Sequence, residues 1–317
     1  MKEALNRLLT LALSANASDI HLTLENNQCQ LEWRINGQLM PMPSDSFIHD
    51  KRLFHYLKYI SHCELSNMSS PQSGSFEVMV NNKKVACRFA ILSTRFRQAG
   101  VIRLLNQGSY IPLEKLTPDG PIIQLYRNII NYRNGLVIIS GTTGSGKTTS
   151  AYSLLNAMDK RKVYTIEDPI EIYYPKLMQV QVNESNGLSY ANAIKQIMRH
   201  DPDVLFIGEI RDEIAAKMAL RSALTGHLVI ATLHASNCLG AIYRLLDLNL
   251  DQDQLFQVLT TITCQMLVTE TNHNVKFSIV EALDQNGIAT FNQTGAITYE
   301  TLEQKIRTIS YQKAITY

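Results

Sequence analysis

Leu136-Val137-Ile138-Ile139-Ser140-Gly141-Thr142-Thr143-Gly144-Ser145-Gly146-Lys147-Thr148 decides the fold of this chain. Residues 141–148 fit the pattern G-x-x-x-x-G-K-[ST], and the apolar run before them reads as a buried strand, so the pattern sits between a strand and a helix, as its chemistry requires. The glycines can reach φ > 0, which lets backbone N–H groups converge on phosphate oxygens. The helix that follows adds its positive N-terminal end. Lys147 neutralises charge on the β and γ phosphates, and the Thr148 hydroxyl can ligate Mg²⁺. The residues expected to hold ATP are Gly141, Thr142, Thr143, Gly144, Ser145, Gly146, Lys147, Thr148 and Thr149.

Downstream, short apolar strands alternate with helical stretches: strands at 136–139, 163–166, 204–207 and 228–231, helices near 147–158, 189–200, 212–224 and 238–248. That rhythm predicts an α/β domain with a largely parallel sheet covered by helices and its ligand at the carboxyl edge. Three further groups follow these strands. Glu167-Asp168-Pro169-Ile170-Glu171 brings carboxylates to a place where a water can be polarised, and Glu209 ends the strand Val204-Leu205-Phe206-Ile207, suited to Mg²⁺ or its waters. Thr225-Gly226-His227 and Thr232-Leu233-His234 bracket the strand at 228–231 and read as reporters of the γ-phosphate. Taken singly, an acid at a strand end is more often a solvated cap and a lone histidine structural. Their order behind a phosphate loop is what points to a site.

The first hundred residues read differently. Leu5, Leu8, Leu9, Ala12 and Leu13 recur at helical spacing, and alternating runs at 20–24 and 29–35 predict a hairpin, with a further tight turn at Asn36-Gly37. A helix over about 50–63 precedes a second hairpin, 76–80 with 83–89, turned at Asn81-Asn82. A small α+β domain over 1–105, a linker over 106–121 rich in turn formers, and a second domain over 122–317 follow from this. Beyond 250 the pattern is weaker: 251–266 reads as helical, 275–283 as a strand and 300–313 as a closing helix, giving a helical C-terminal part used for packing or platform contact.

With 317 residues and 45% hydrophobic content the chain can bury two cores. No apolar run approaches the roughly eighteen residues of a membrane span, and the first residues lack the order of a signal peptide. Five scattered cysteines with no C-x-x-C pair favour reduced thiols over a zinc site. A net charge of +2 offers no broad basic surface, so direct nucleic-acid binding is not expected.

Gly141–Thr148, Thr165-Ile166-Glu167-Asp168-Pro169-Ile170-Glu171, 201–212 and 225–234 resemble, in that order, the Walker A, Asp box, Walker B and His box of the type II secretion and type IV pilus ATPase family. The likeness reaches into the first domain through Ala17-Ser18-Asp19-Ile20-His21, Arg34-Ile35-Asn36-Gly37, Pro71-Gln72-Ser73-Gly74 and Ile102-Arg103-Leu104-Leu105. The resemblance implies a PAS-like N-terminal domain joined to a RecA-like ATPase domain in a homo-hexameric motor. It also implies roles: Glu167 as catalytic carboxylate, Glu209 with Thr148 as Mg²⁺ ligand, His234 as γ-phosphate sensor, and Arg88 and Arg103 as arginines that reach the nucleotide. Ser75 stands where the family often has arginine, and the paired-cysteine zinc module of the secretion members is missing.

A compact chain of this kind most resembles the competence ATPases of Gram-positive bacteria. The implied function is an ATP-hydrolysing motor in the cytoplasm, peripheral to the membrane, that pushes on an inner-membrane platform protein and, through it, on pilin subunits to assemble a pilus for DNA uptake. Pilus retraction and type II secretion are the nearest alternatives. A nucleic-acid translocating motor would need a basic, aromatic-studded groove, which a near-neutral chain with 8% dispersed aromatics does not suggest.

Overall fold

The computed structural model of the protein describes residues 1–35, 37–42, 51–65, 70–94, 96–105, 111–170, 172–183, 187–270, 275–296, 299–312 and 315–316. Asn36 of the expected tight turn lies outside them. The chain forms two compact units, 1–108 with 171–173, and 109–170 with 174–317.

In the first unit, helix α1 (Lys2–Ser14) precedes β1 (Ala17–Glu25), β2 (Gln28–Ile35) and β3 (Gln38–Pro41); helix α2 (Lys51–Ile60) precedes β4 (Gln72–Val80), β5 (Lys83–Ser93) and β6 (Gln98–Leu105). The sheet order is β3-β2-β1-β6-β5-β4, antiparallel throughout. Two Asn-Asn pairs turn its hairpins: Asn26 and Asn27 at φ 48° and 65°, Asn81 and Asn82 at φ 48° and 60°. Paired positive φ values match the twist of the strands they join, and asparagine tolerates them best after glycine. The apolar face of α1 (Leu5, Leu8, Leu9, Ala12) and that of α2 (Leu53, Phe54, Leu57) close on Ile20, Leu22, Phe89 and Ile102 of the sheet. Phe54 meets Phe89 edge to face at 5.6 Å.

The second unit contains α3 (Gly120–Ile130), β7 (Gly135–Ser140), α4 (Lys147–Asn156), β8 (Val163–Glu167), β9 (Met178–Gln181), α5 (Tyr190–Ile197), β10 (Val204–Ile207), α6 (Glu213–Leu224), β11 (Leu228–Leu233) and α7 (Cys238–Asp247). After these come α8 (Gln252–Val258), β12 (Leu259–Glu270), β13 (Val275–Leu283), α9 (Gln285–Thr294) and α10 (Leu302–Gln312). The main sheet runs β13-β12-β7-β11-β10-β8-β9, with every pair from β12 to β9 parallel and β13 antiparallel at the edge. Strands β7, β10 and β11 are buried along their whole length, as expected where helices cover both faces.

Two expectations are corrected here. Residues 251–266 do not form one helix: α8 ends at Val258, and Leu259-Thr260-Thr261-Ile262-Thr263-Cys264 continues as β12 beside β7, because β-branched side chains lose rotamer freedom in a helix and pack well in a sheet. The C-terminal part is therefore mixed, and it completes the central sheet. Within the expected linker, residues 106–110 lie outside the described ones; beyond them Leu113 and Leu116 are buried, and α3 already begins at Gly120 with Asp119 accepting from the Ile122 N–H. Among the described residues no helix is long and apolar enough to cross a membrane. Among the described residues no cysteine is in a disulfide, and burial pushes the Cys87 thiol up to about 12 and those of Cys29 and Cys264 to about 11, which leaves these three protonated at neutral pH.

Candidate nucleotide site

The loop after β7 is built on three glycines at positive φ: Gly141 (+146°), Gly144 (+79°) and Gly146 (+88°), the last as N-cap of α4. A Cβ on Gly141 would lie 2.5 Å from the Gln265 carbonyl oxygen and 2.5 Å from Ser145 Oγ, so both conformation and space demand glycine. Gln265, on β12, donates from Nε2 to the Ser145 carbonyl at 2.7 Å and so braces the loop from the neighbouring strand. Lys147, buried at the start of α4, donates to the carbonyls of Gly141 (2.9 Å) and Thr142 (2.8 Å). A cradle of positive-φ glycines, a helix N-terminus and a lysine held over the loop fit a nucleotide triphosphate. Gly141→Ala is expected to cost about 1–3 kcal/mol of backbone strain in this conformation, which weakens ATP affinity about ten- to a hundred-fold. Titration with a fluorescent ATP analogue checks this, and an affinity within twofold of the parent protein would refute it.

Because β7, β8, β10 and β11 are parallel, the residues that follow them lie along one sheet edge. Glu167 ends β8 and is 3% exposed; its Oε2 accepts from the Tyr152 hydroxyl at 2.5 Å, and its Oε1 accepts from the Thr165 hydroxyl at 2.5 Å and from Gln179 Nε2 at 3.3 Å. Glu209 follows β10; His234 Nε2 is 3.0 Å from its Oε1, and Arg211 Nε donates to its Oε2 at 2.6 Å. Arg211 also approaches Asp168 at 3.5 Å, and its hydrogen bond to Glu209 tightens the guanidinium's hold on its proton. Burial, with the neighbouring Asp168 carboxylate, pushes the Tyr190 phenol up to about 12, which marks Tyr190 as part of the same cluster. The Thr232 hydroxyl, on β11, donates to the Gly208 carbonyl and so ties the turn after β10 to β11.

Among the described residues no group of three or more His, Cys, Asp or Glu could hold a metal ion alone. The Thr148 hydroxyl and the Glu209 carboxylate are oxygens of the kind that could hold Mg²⁺ together with phosphate and water.

The structure thus brings Glu209 and His234 together, and adds Arg211, Tyr152, Thr165, Gln179 and Gln265, which the sequence reading did not single out. Arg211 was signalled by its place two residues after Glu209, where an extended backbone returns side chains to the same side. Thr225-Gly226-His227 is corrected: His227 precedes β11, and its carbonyl accepts from Gly135 N at the start of β7. It lies at the amino edge, a full strand of about 3.3 Å per residue from the phosphate loop, and cannot sense a γ-phosphate there.

In the first unit, Ser75, Arg88, Arg103 and Asp19 pair in register across β4, β5, β6 and β1, so they form one lateral row on one face. Arg103 Nε donates to Asp19 at 2.8 Å while its side chain stays 66% exposed. Burial alone would raise the Asp19 carboxyl, yet hydrogen bonds from Arg103 and Ser18 hold it below the usual range.

The sheet order, the glycine loop and the acids at the carboxyl edge are those of a P-loop ATPase fold. A family model described as "Type II/IV secretion system protein" matches residues 1–312. Competence protein ComGA of Halalkalibacterium halodurans is 36% identical over 267 residues, covering 83% of this chain and 77% of that protein; ComGA of Bacillus subtilis is 34% identical over 264 residues, covering 82% and 74%. Type II secretion system protein E of Xanthomonas campestris is 32% identical over 266 residues, covering 83% of this chain and 47% of that protein. In fold, the chain is similar to the pilus retraction motor PilT with bound ADP, at TM-score 0.76 and 24% identity over 98% of this chain and 94% of that one. The chain belongs to the type II/IV secretion system protein family.

Proposed function

We propose that this chain is a cytoplasmic ATP-hydrolysing motor that powers assembly of a type IV-like pilus for DNA uptake, acting as a homo-hexamer on an inner-membrane platform protein and through it on pilin. The carrying observation is the phosphate loop at 141–148 sharing one sheet edge with Glu167, Glu209 and His234. The 36% and 34% identity to the two ComGA proteins supports the competence reading.

In this reading a first domain over 1–105 is followed by an ATPase domain that takes in α3 from Gly120 and runs to 317. Lys147 would exchange two loop carbonyls for phosphate oxygens, and Thr148 with Glu209 would hold Mg²⁺, which would supply charge neutralisation at the phosphates. Glu167 orients and deprotonates the attacking water, and His234, already paired with Glu209, registers loss of the γ-phosphate. Arg88 and Arg103 would supply positive charge to the phosphates in this reading.

Deleting the gene is expected to abolish DNA uptake and surface pili together. Loss of neither, or pili that persist while uptake alone fails, argues against assembly. Native mass measurement with nucleotide at micromolar protein is expected to find hexamers, and a purely monomeric result argues against the ring.

A further inference from the structure

Glu167 meets the other secondary-structure elements of its unit through hydroxyl and amide donors. Its carboxylate is buried, and water cannot solvate it freely, so its charge and its rotamer depend on protein groups. Three are in place. Tyr152, from the middle of α4, donates at 2.5 Å to one oxygen; Thr165, from the same strand, donates at 2.5 Å to the other, where Gln179 of β9 adds a longer bond at 3.3 Å.

Each donor is itself held. The Tyr152 ring stacks on Tyr174 at 4.6 Å and packs against Phe206 at 5.8 Å, and its oxygen accepts from Gln179 Nε2 at 2.8 Å, which leaves its own O–H directed at Glu167. Burial, and then the Glu167 charge, push the phenol far above its usual range, so it stays protonated and remains a donor. Gln179 has its amide fixed by the Tyr174 N–H, which donates to its Oε1 at 2.7 Å. A Cβ at Gly208 would fall 3.1 Å from Glu167 Cγ, so the Gly208 backbone packs closely against the stem of the side chain.

We propose that Tyr152 and Thr165 are positioning residues that fix the Glu167 carboxylate in one rotamer at the end of β8; this rests on the reading of Glu167 as the catalytic carboxylate. Tyr152 sits one helical turn beyond the Lys147-Thr148 start of α4, so the helix that carries the phosphate-binding residues also carries the group that aims the base. It acts through Glu167 and makes no contact with nucleotide of its own.

The test uses near-isosteric variants of the full chain. Tyr152→Phe and Thr165→Val each remove one hydroxyl donor to a charged acceptor, and each is expected to lower kcat about ten- to a hundred-fold. The KM for ATP and the affinity for a fluorescent ATP analogue should stay within twofold. Thr165→Ser, which restores the hydroxyl, should recover most of the rate. Placed on a Glu167→Gln background, Tyr152→Phe should cost nothing further, because residues acting through one group are non-additive.

If Glu167→Gln abolishes turnover while Tyr152→Phe and Thr165→Val run at the parent rate, the positioning role is refuted and the reading of Glu167 survives. If Glu167→Gln itself turns over normally, that reading fails and takes the clamp with it. A faster Tyr152→Phe, or equal losses in Thr165→Val and Thr165→Ser, would also overturn the proposal, since the first signals restraint and the second signals packing.

Discussion

Lys147→Ala is expected to lower ATP turnover by about 10²–10³-fold, the usual effect of removing one preorganised electrostatic contact to a transition state. The structure supplies a reason beyond pattern matching. Lys147 Nζ donates to the carbonyls of Gly141 and Thr142, so it shapes the loop and stands where phosphate oxygens could take the place of those carbonyls. Alanine removes both functions. Two loop carbonyls lose a charged donor, at a cost of about 1–3 kcal/mol, so a small drop in thermal midpoint should accompany a large loss of rate. Steady-state ATPase assays and a melting curve separate the two effects. A variant that still turns over ATP within a few-fold of the parent would show that hydrolysis does not occur at this loop.

Glu281→Ala is expected to destabilise the second unit by about 2–6 kcal/mol, since it leaves two buried backbone donors without an acceptor at about 1–3 kcal/mol each. Glu281 lies on β13 at 1% exposure. Its Oε1 accepts from Cys238 N at 2.6 Å and from the Tyr299 hydroxyl at 3.2 Å, and its Oε2 accepts from Leu302 N at 2.8 Å. Cys238 opens α7 and Leu302 opens α10, so one carboxylate answers the positive ends of two helices. Without it two buried backbone donors and the half-buried Tyr299 hydroxyl lose their acceptor, and α7, which starts four residues after His234, loses an anchor. Urea unfolding followed by circular dichroism reads the change. A loss under about 1 kcal/mol would mean that water or a shifted side chain satisfies those donors instead.

The fold was legible wherever the signal was local. Residues 141–148 carry their own conformational requirement, and the apolar runs at β7, β8, β10 and β11 could be placed because strands buried on both faces are continuous stretches of Val, Ile and Leu. The two Asn-Asn hairpins were legible for the same reason, since a turn is made by the residues in it. The segment at 259–270 was not. Its threonines, cysteine and glutamine show no clean alternation, because they face a phosphate loop and a serine-ended strand that lie more than a hundred positions away in the chain.

What the sequence alone determined is the inventory at the sheet edge: a glycine-turned phosphate loop and acids or a histidine at strand ends, each set by the few residues around it. Only the tertiary structure decided the partners. It put β12 beside β7 so that Gln265 braces the loop, returned Arg211 and His234 to Glu209, sent His227 to the opposite edge, and closed Tyr152, Thr165 and Gln179 on Glu167. Backbone preference is encoded over neighbouring residues, whereas hydrogen-bond partnership between buried side chains depends on strand order and register, which come into being only when distant segments pack.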